Sequence, residues 1–180
     1  MDINKAITER NARFAETEFV SELKMLPSTG TIVVGCVDPR VDPVFVLGLQ
    51  QGEVAVIRNV GGRVNKPLME TLAVLRVVAK AAGREGGVGN LILLHHTDCG
   101  IIGCYHHAPD LLARHLGVET AALEDMAITD PYKSVLCDIA SLKANQQLPD
   151  SVVVSGLVYD VKTGRVETVV PPAPLRSTID

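Results

Sequence analysis

Short apolar, β-branched runs alternate along the chain with stretches whose apolar residues recur every third or fourth position, and that alternation predicts a layered α/β fold. Thr31-Ile32-Val33-Val34, Val54-Ala55-Val56-Ile57, Asn90-Leu91-Ile92-Leu93-Leu94 and Ser151-Val152-Val153-Val154-Ser155 read as strands, the first and third as buried parallel ones. Pro43 to Leu49, Leu68 to Ala82, Leu111 to Leu116 and Tyr132 to Asn145 carry helical spacing. Ahead of the first strand, Asn4 to Leu26 sets Ile7, Phe14, Phe19 and Leu23 among charges, an amphipathic helix ended by Pro27-Ser28-Thr29-Gly30. Arg58 to Gly62 reads as a loop and Gly83 to Gly89 as a glycine-rich breaker. Leu157 to Asp160, a Lys162-Thr163-Gly164 turn and Val166 to Val170 predict a hairpin, with an extended tail from Pro171. The expected architecture is α/β: a mostly parallel central sheet flanked by helices, with an antiparallel edge strand from the C-terminal hairpin.

A chain of 180 residues is expected to form a single domain over 1–180, able to bury a core without disulfides or a stapling metal. The net charge of -4 gives no basic footprint for nucleic acid. The N-terminus lacks the apolar centre of a secretory signal and no apolar run is long enough to span a bilayer. These features predict a cytoplasmic protein with no nucleic-acid or membrane partner. Four cysteines in such a setting are not a disulfide framework, which leaves metal binding, catalysis or core packing for each.

Two strand ends concentrate the chemistry. Cys36-Val37-Asp38-Pro39-Arg40 follows the first strand and His96-Thr97-Asp98-Cys99 follows the third. In open α/β sheets, ligands bind outside the carboxyl ends of strands, so two thiols and an imidazole are expected to converge there. Catalytic zinc takes three such ligands and keeps a fourth position for water, a role that suits Cys36, His96 and Cys99. Two thiolates offset the charge of the ion, so water on it should be less acidic than the roughly pKa 7 of an all-histidine site. Asp38 is placed to accept a hydrogen bond from that water, and Arg40 to keep the carboxylate ionised and oriented.

These motifs, with Val56-Ile57-Arg58-Asn59, His96-x-x-Cys99-Gly100 and Gly156-x-Val158-Tyr159-Asp160-x-x-Thr163-Gly164, resemble those of the β-class carbonic anhydrases over most of the chain. The resemblance implies a Zn2+ site of two cysteines and a histidine, an Asp38–Arg40 dyad and reversible hydration of carbon dioxide to bicarbonate. It also implies a homodimer or higher homo-oligomer in which residues 1–27 form a helical arm on a partner subunit. Some members close the site with the motif aspartate, which here would be Asp38 and would give a non-catalytic zinc-binding protein. Relatives with the same motifs hydrolyse carbonyl sulfide or carbon disulfide. With no Trp, three Phe and three Tyr, the chain does not match the aromatic cleft lining of plant-like members, so both substrate classes stay open.

The remaining candidates have plainer readings. Strand alternation turns His95 away from His96 to pack or hydrogen-bond in the core. Asp98 is expected to cap the turn, and Cys104 and Cys137 to be core or surface thiols. His106 and His107 fall on a solvated loop or relay protons. Gly61 and Gly62 turn the chain or admit close approach of substrate. Arg58 holds an anion or a structural ion pair.

Overall fold

A computed structural model describes residues 2–84 and 89–176. Five strands form one sheet in the order β2-β1-β3-β4-β5, where β1 is Thr31–Cys36, β2 Val54–Asn59, β3 Asn90–His96, β4 Val153–Asp160 and β5 Arg165–Pro174. The first four pair in parallel and β5 runs antiparallel to β4, as the run pattern predicts. All six residues of β1 are buried, as an inner strand of continuous apolar character should be.

Six helices flank the sheet among the described residues: α1 Ile3–Thr17, α2 Pro43–Val46, α3 Lys66–Ala81, α4 Ile101–His107, α5 Pro109–Leu116 and α6 Pro131–Ala144. Leu68 and Leu72 of α3 and Val135, Ile139 and Leu142 of α6 pack on Ile32, Val34, Leu91, Leu93, Val154 and Val158 of the sheet. A second core joins Ile101 of α4 to Leu112, Ala113 and Leu116 of α5 and to Leu123 and Ile128. It forms a small helical lobe beside the exit of β3.

Several boundaries differ from the pattern, each for a physical reason. The first helix stops at Thr17 rather than Leu26: none of its residues is buried, so no packing extends it past its Asp2-capped turns. The Pro43 helix ends at Val46, and Gly48 follows in the left-handed region. The predicted loop at Arg58 and Asn59 is strand, paired with Gly35 and Cys36. Ser151 to Ser155 and Leu157 to Asp160 are not two strands, because β4 runs unbroken through Gly156. A Cβ on Gly156 would meet Val135 Cγ2 at 2.8 Å, so glycine there seats α6 against the sheet. The tail from Pro171 begins as strand, since β5 continues to Pro174 along the sheet edge. The predicted breaker at Gly83 to Gly89 lies partly outside the described residues.

Candidate metal centre

The parallel register of β1 and β3 sets Gly35 opposite Leu94, so Cys36 and His96 leave the sheet within one residue of the same level. A tight turn then returns Cys99. Cys36 Sγ lies 3.8 Å from Cys99 Sγ, and a ring nitrogen of His96 completes a group whose ligand atoms all lie within 4.8 Å of one another. No other such group of histidine, cysteine and carboxylate residues occurs among the described residues.

The donor set fits a tetrahedral zinc ion. Two sulfurs at about 2.3 Å from zinc stand about 3.8 Å apart in a tetrahedron, the separation found here and far too long for a disulfide. His96 is 2 % exposed, and its Nδ1 donates to Thr97 O at 2.9 Å, because a carbonyl only accepts. In the neutral ring that bond fixes the tautomer and leaves the Nε2 lone pair free. His96 Nε2 is buried and has no hydrogen-bond partner among the described residues, which suits a nitrogen able to bind a metal.

The sulfur pair is polarised as well. The Cys99 thiol donates toward Cys36, and with help from His96 and the Asp38 and Gly61 amides this outweighs burial and holds the Cys36 thiol well below its ordinary range. The same shared proton, with burial, pushes Cys99 up. A dication in place of that proton would stabilise both thiolates. Gly61 and Gly62 supply this close approach with φ of 78° and 65°. A Cβ on Gly62 would lie 3.1 Å from the Cys36 nitrogen. Their role here is therefore to bring backbone against the Cys36 strand end.

Asp38 and Arg40 sit at the rim. Arg40 Nε and Nη2 bond the Asp38 carboxylate at 2.7 to 3.2 Å, which lowers its pKa to about 2. Arg58 anchors the same turn from beneath. It donates to Cys36 O and Asp38 O and pairs with Asp42 at 2.7 Å, a structural clamp on the ligand loop. Asp98 does not cap α4, whose N-terminus has no side-chain cap; instead its carboxylate and its carbonyl both accept from Arg40. A cleft of about 20 Å3, room for roughly one water, opens beside the triad with Gly61, His96, Cys99, Ile101, Ile102 and Ile128 among its walls.

His95 turns to α6, where its Nδ1 meets Ser134 Oγ at 2.7 Å. Its Nε2 stands 3.2 Å from Asp138 Oδ2. Asp138 in turn accepts from Arg63 at 2.8 and 3.1 Å and from the Val64 amide at 3.1 Å. Burial alone would raise the Asp138 carboxyl, but His95 and Arg63 outweigh it and hold it low. Sequence reasoning missed Arg63 and Asp138. The available signal was Asp138 in the buried stripe Ser134, Val135, Asp138, Ile139, Leu142 of α6. Cys104 packs against the second core and Cys137 donates to Asp125 O. His106 and His107 end α4, exposed, rather than lying on a loop.

The family model described as carbonic anhydrase matches residues 31–127. β-Carbonic anhydrase 1 of Mycobacterium tuberculosis is 31% identical over 156 residues, covering 85% of this chain and 90% of that protein. A carbonic anhydrase crystal structure from Streptococcus mutans superposes with a TM-score of 0.73 at 31% identity, covering 94% of this chain and 98% of that one. A carbon disulfide hydrolase in its apo form has a TM-score of 0.57 at 22% identity, covering 91% and 90%, and so shares the fold.

Proposed function

The chain belongs to the β-class carbonic anhydrase family, and on that footing we propose that it catalyses zinc-dependent, reversible hydration of carbon dioxide to bicarbonate and a proton. The observation that carries the reading is the convergence of Cys36, His96 and Cys99 around the unclaimed His96 nitrogen. Zinc held by these three residues supplies Lewis-acid activation of water.

The other groups divide the remaining work. Asp38 presents carboxylate oxygens beside the triad, ready to accept a proton-bearing bond from the reacting water and so aim its lone pair at carbon. Arg40 keeps that carboxylate ionised and turned to one side, since both of its oxygens are engaged by the guanidinium. The same engagement argues against a non-catalytic protein closed by Asp38. Ile101, Ile102 and Ile128 offer a small linear substrate apolar contact on one side of the cleft.

Stopped-flow carbon dioxide hydration by zinc-quantified protein tests the proposal, near pH 7 and about two units higher. Turnover that rises with pH is expected, because the two thiolates offset the charge of the cation. Full zinc occupancy with no hydration at either pH would refute it. One second reading, a carbonyl sulfide or carbon disulfide hydrolase, uses the same centre; a wholly apolar access route would favour it, whereas the cleft here sets three isoleucines beside Arg63, His95, Asp98 and Ser134. Hydrogen sulfide release would then replace hydration.

The assembly and setting belong to the same proposal. Residues 1–180 form one domain whose arm, 1–27, packs on a partner subunit in a homodimer or higher oligomer. The support is α1 itself, which buries no residue in its own chain and exposes more than half of Ile3 and Ile7. No helix among the described residues is long and apolar enough to cross a membrane, and we place the protein in the cytoplasm. Sedimentation of a chain lacking residues 1–27 should show a smaller species. An unchanged number of subunits would remove the arm from the interface.

A further inference from the structure

We propose that Asp98 is a positioning residue of the reaction, holding the outer edge of the Arg40 guanidinium so that its inner edge keeps Asp38 in one orientation beside Cys36, His96 and Cys99. The inference rests on the reading of Asp38 and Arg40 given above and extends it to a residue on the other ligand loop.

Arginine presents five N–H donors in a rigid planar fork. Here Nε and one face of Nη2 meet Asp38, while Nη1 donates to Asp98 Oδ2 at 2.8 Å and Nη2 also donates to Asp98 O at 2.9 Å. One cation is therefore gripped from two sides, by a residue two positions before it and by one 58 positions after it. The two loops it joins are the ones that deliver the ligands: Asp38 stands two residues after Cys36, and Asp98 between His96 and Cys99. Asp98 Oδ2 and O are the only groups outside Arg40's own loop that it bonds among the described residues.

That second grip matters because Arg40 is otherwise poorly confined. Its side chain is 48% exposed, and its bonds to Asp38 span only two residues. A long side chain tied at one local point retains rotamer freedom and carries its partner with it. Tied across to the β3 exit, it has one arrangement. The backbone of Asp98 points the same way: its φ of 55° is a left-handed conformation that glycine adopts without steric cost. The chain keeps a carboxylate there, and the carboxylate is spent on Arg40.

The alternative is a solvated surface pair with no measurable effect, the common fate of exposed ion pairs. Asp98→Gly distinguishes the two, since glycine suits the backbone and removes only the side chain. We expect kcat to fall about five- to tenfold with KM nearly constant and zinc content unchanged. In an Arg40→Ala background the same substitution should change kcat by less than about twofold, because its route is gone. Asp98→Asn, which keeps an acceptor oxygen, should recover most of the loss. A second readout is independent of turnover: the Arg40 Nε–H signal of zinc-loaded, 15N-labelled protein should exchange slowly with solvent in the parent and fast in Asp98→Gly. Wild-type kcat and slow exchange in Asp98→Gly would overturn the proposal, as would an equal loss with and without Arg40. Absence of hydration by the parent protein would sink the functional reading, and the exchange experiment would still decide whether Asp98 holds Arg40.

Discussion

His95 and His96 are neighbours on one strand, each is 2 % exposed, and each has a buried Nε2 without a hydrogen bond among the described residues, yet their surroundings could hardly differ more. Around His95 the polar groups are committed to one another: Ser134 faces Nδ1, Asp138 lies 3.2 Å from Nε2, and Arg63 neutralises Asp138. Around His96 they are not. Its Nδ1 is fixed by Thr97 O, and Nε2 stands in one group with the Cys36 and Cys99 sulfurs, which could hold a metal. Burial and residue type fail to separate a structural histidine from a ligand. What faces the remaining nitrogen does, a carboxylate for His95 and two sulfurs for His96.

The comparison breaks most visibly at the ligand. His96→Ala should lose zinc and depress hydration by at least about a thousandfold, while His95→Ala should unfold more easily but keep zinc in the folded fraction. Metal content per folded protein, measured by mass spectrometry of the metal, checks this. Equal zinc loss in both variants would mean that the two histidines form one site.

The next largest effect is on the closed side. Asp138→Ala leaves Arg63, itself 2 % exposed, as an unpaired buried cation, and removal of one partner of such a pair costs about 3–5 kcal/mol. Urea unfolding measures it. Replacing both, Arg63→Met with Asp138→Leu, should recover most of that stability. The pH dependence follows from the same pair. The folded carboxyl lies below its ordinary value, so the unfolded chain binds the proton more readily. The contribution is complete above the unfolded value of about 3.9 and is lost as pH falls below it through the folded one. The parent should thus lose stability below about pH 4 more steeply than the double variant; parallel acid curves would remove Asp138 from the account.

What was legible in the sequence follows the same divide. The open centre was readable because its residues cluster within two short motifs at strand ends, and strand ends follow from apolar runs. The closed centre draws Arg63 from the segment after β2, His95 from β3 and Asp138 from α6, and only the packing of α6 on the sheet brings them together. Asp98 reads as a cap in the sequence because a lone Asp in a turn usually bonds its own backbone, whereas its partner here is Arg40 on the neighbouring loop. The single strand β4 was split at Gly156 for a similar reason. Glycine in a strand signals a break unless one knows that Val135 of α6 presses on that position.

Within the open centre, holding the metal and aiming the reaction can be separated. Arg40→Ala leaves all three ligands in place, so zinc content should stay near one per chain while kcat falls about a hundredfold, the size expected when a reacting group loses its orientation. Stopped-flow hydration on zinc-quantified protein measures the split. A variant with full turnover would strip the dyad of its role and leave the triad as the whole of the site.

The smallest effect is the most discriminating test of the comparison. Ser134→Ala removes the hydroxyl that faces His95 Nδ1 and also bonds Pro131 O, in a residue 4 % exposed. A net loss of about 1 kcal/mol is the usual value for one such bond, and it should appear as a small fall in the urea midpoint at constant slope. Zinc affinity should not move, since nothing Ser134 bonds reaches Cys36, His96 or Cys99. A measurable drop in zinc affinity would show that the strand transmits the state of His95 to His96, and that the closed cluster serves as the outer support of the metal centre rather than as part of the core.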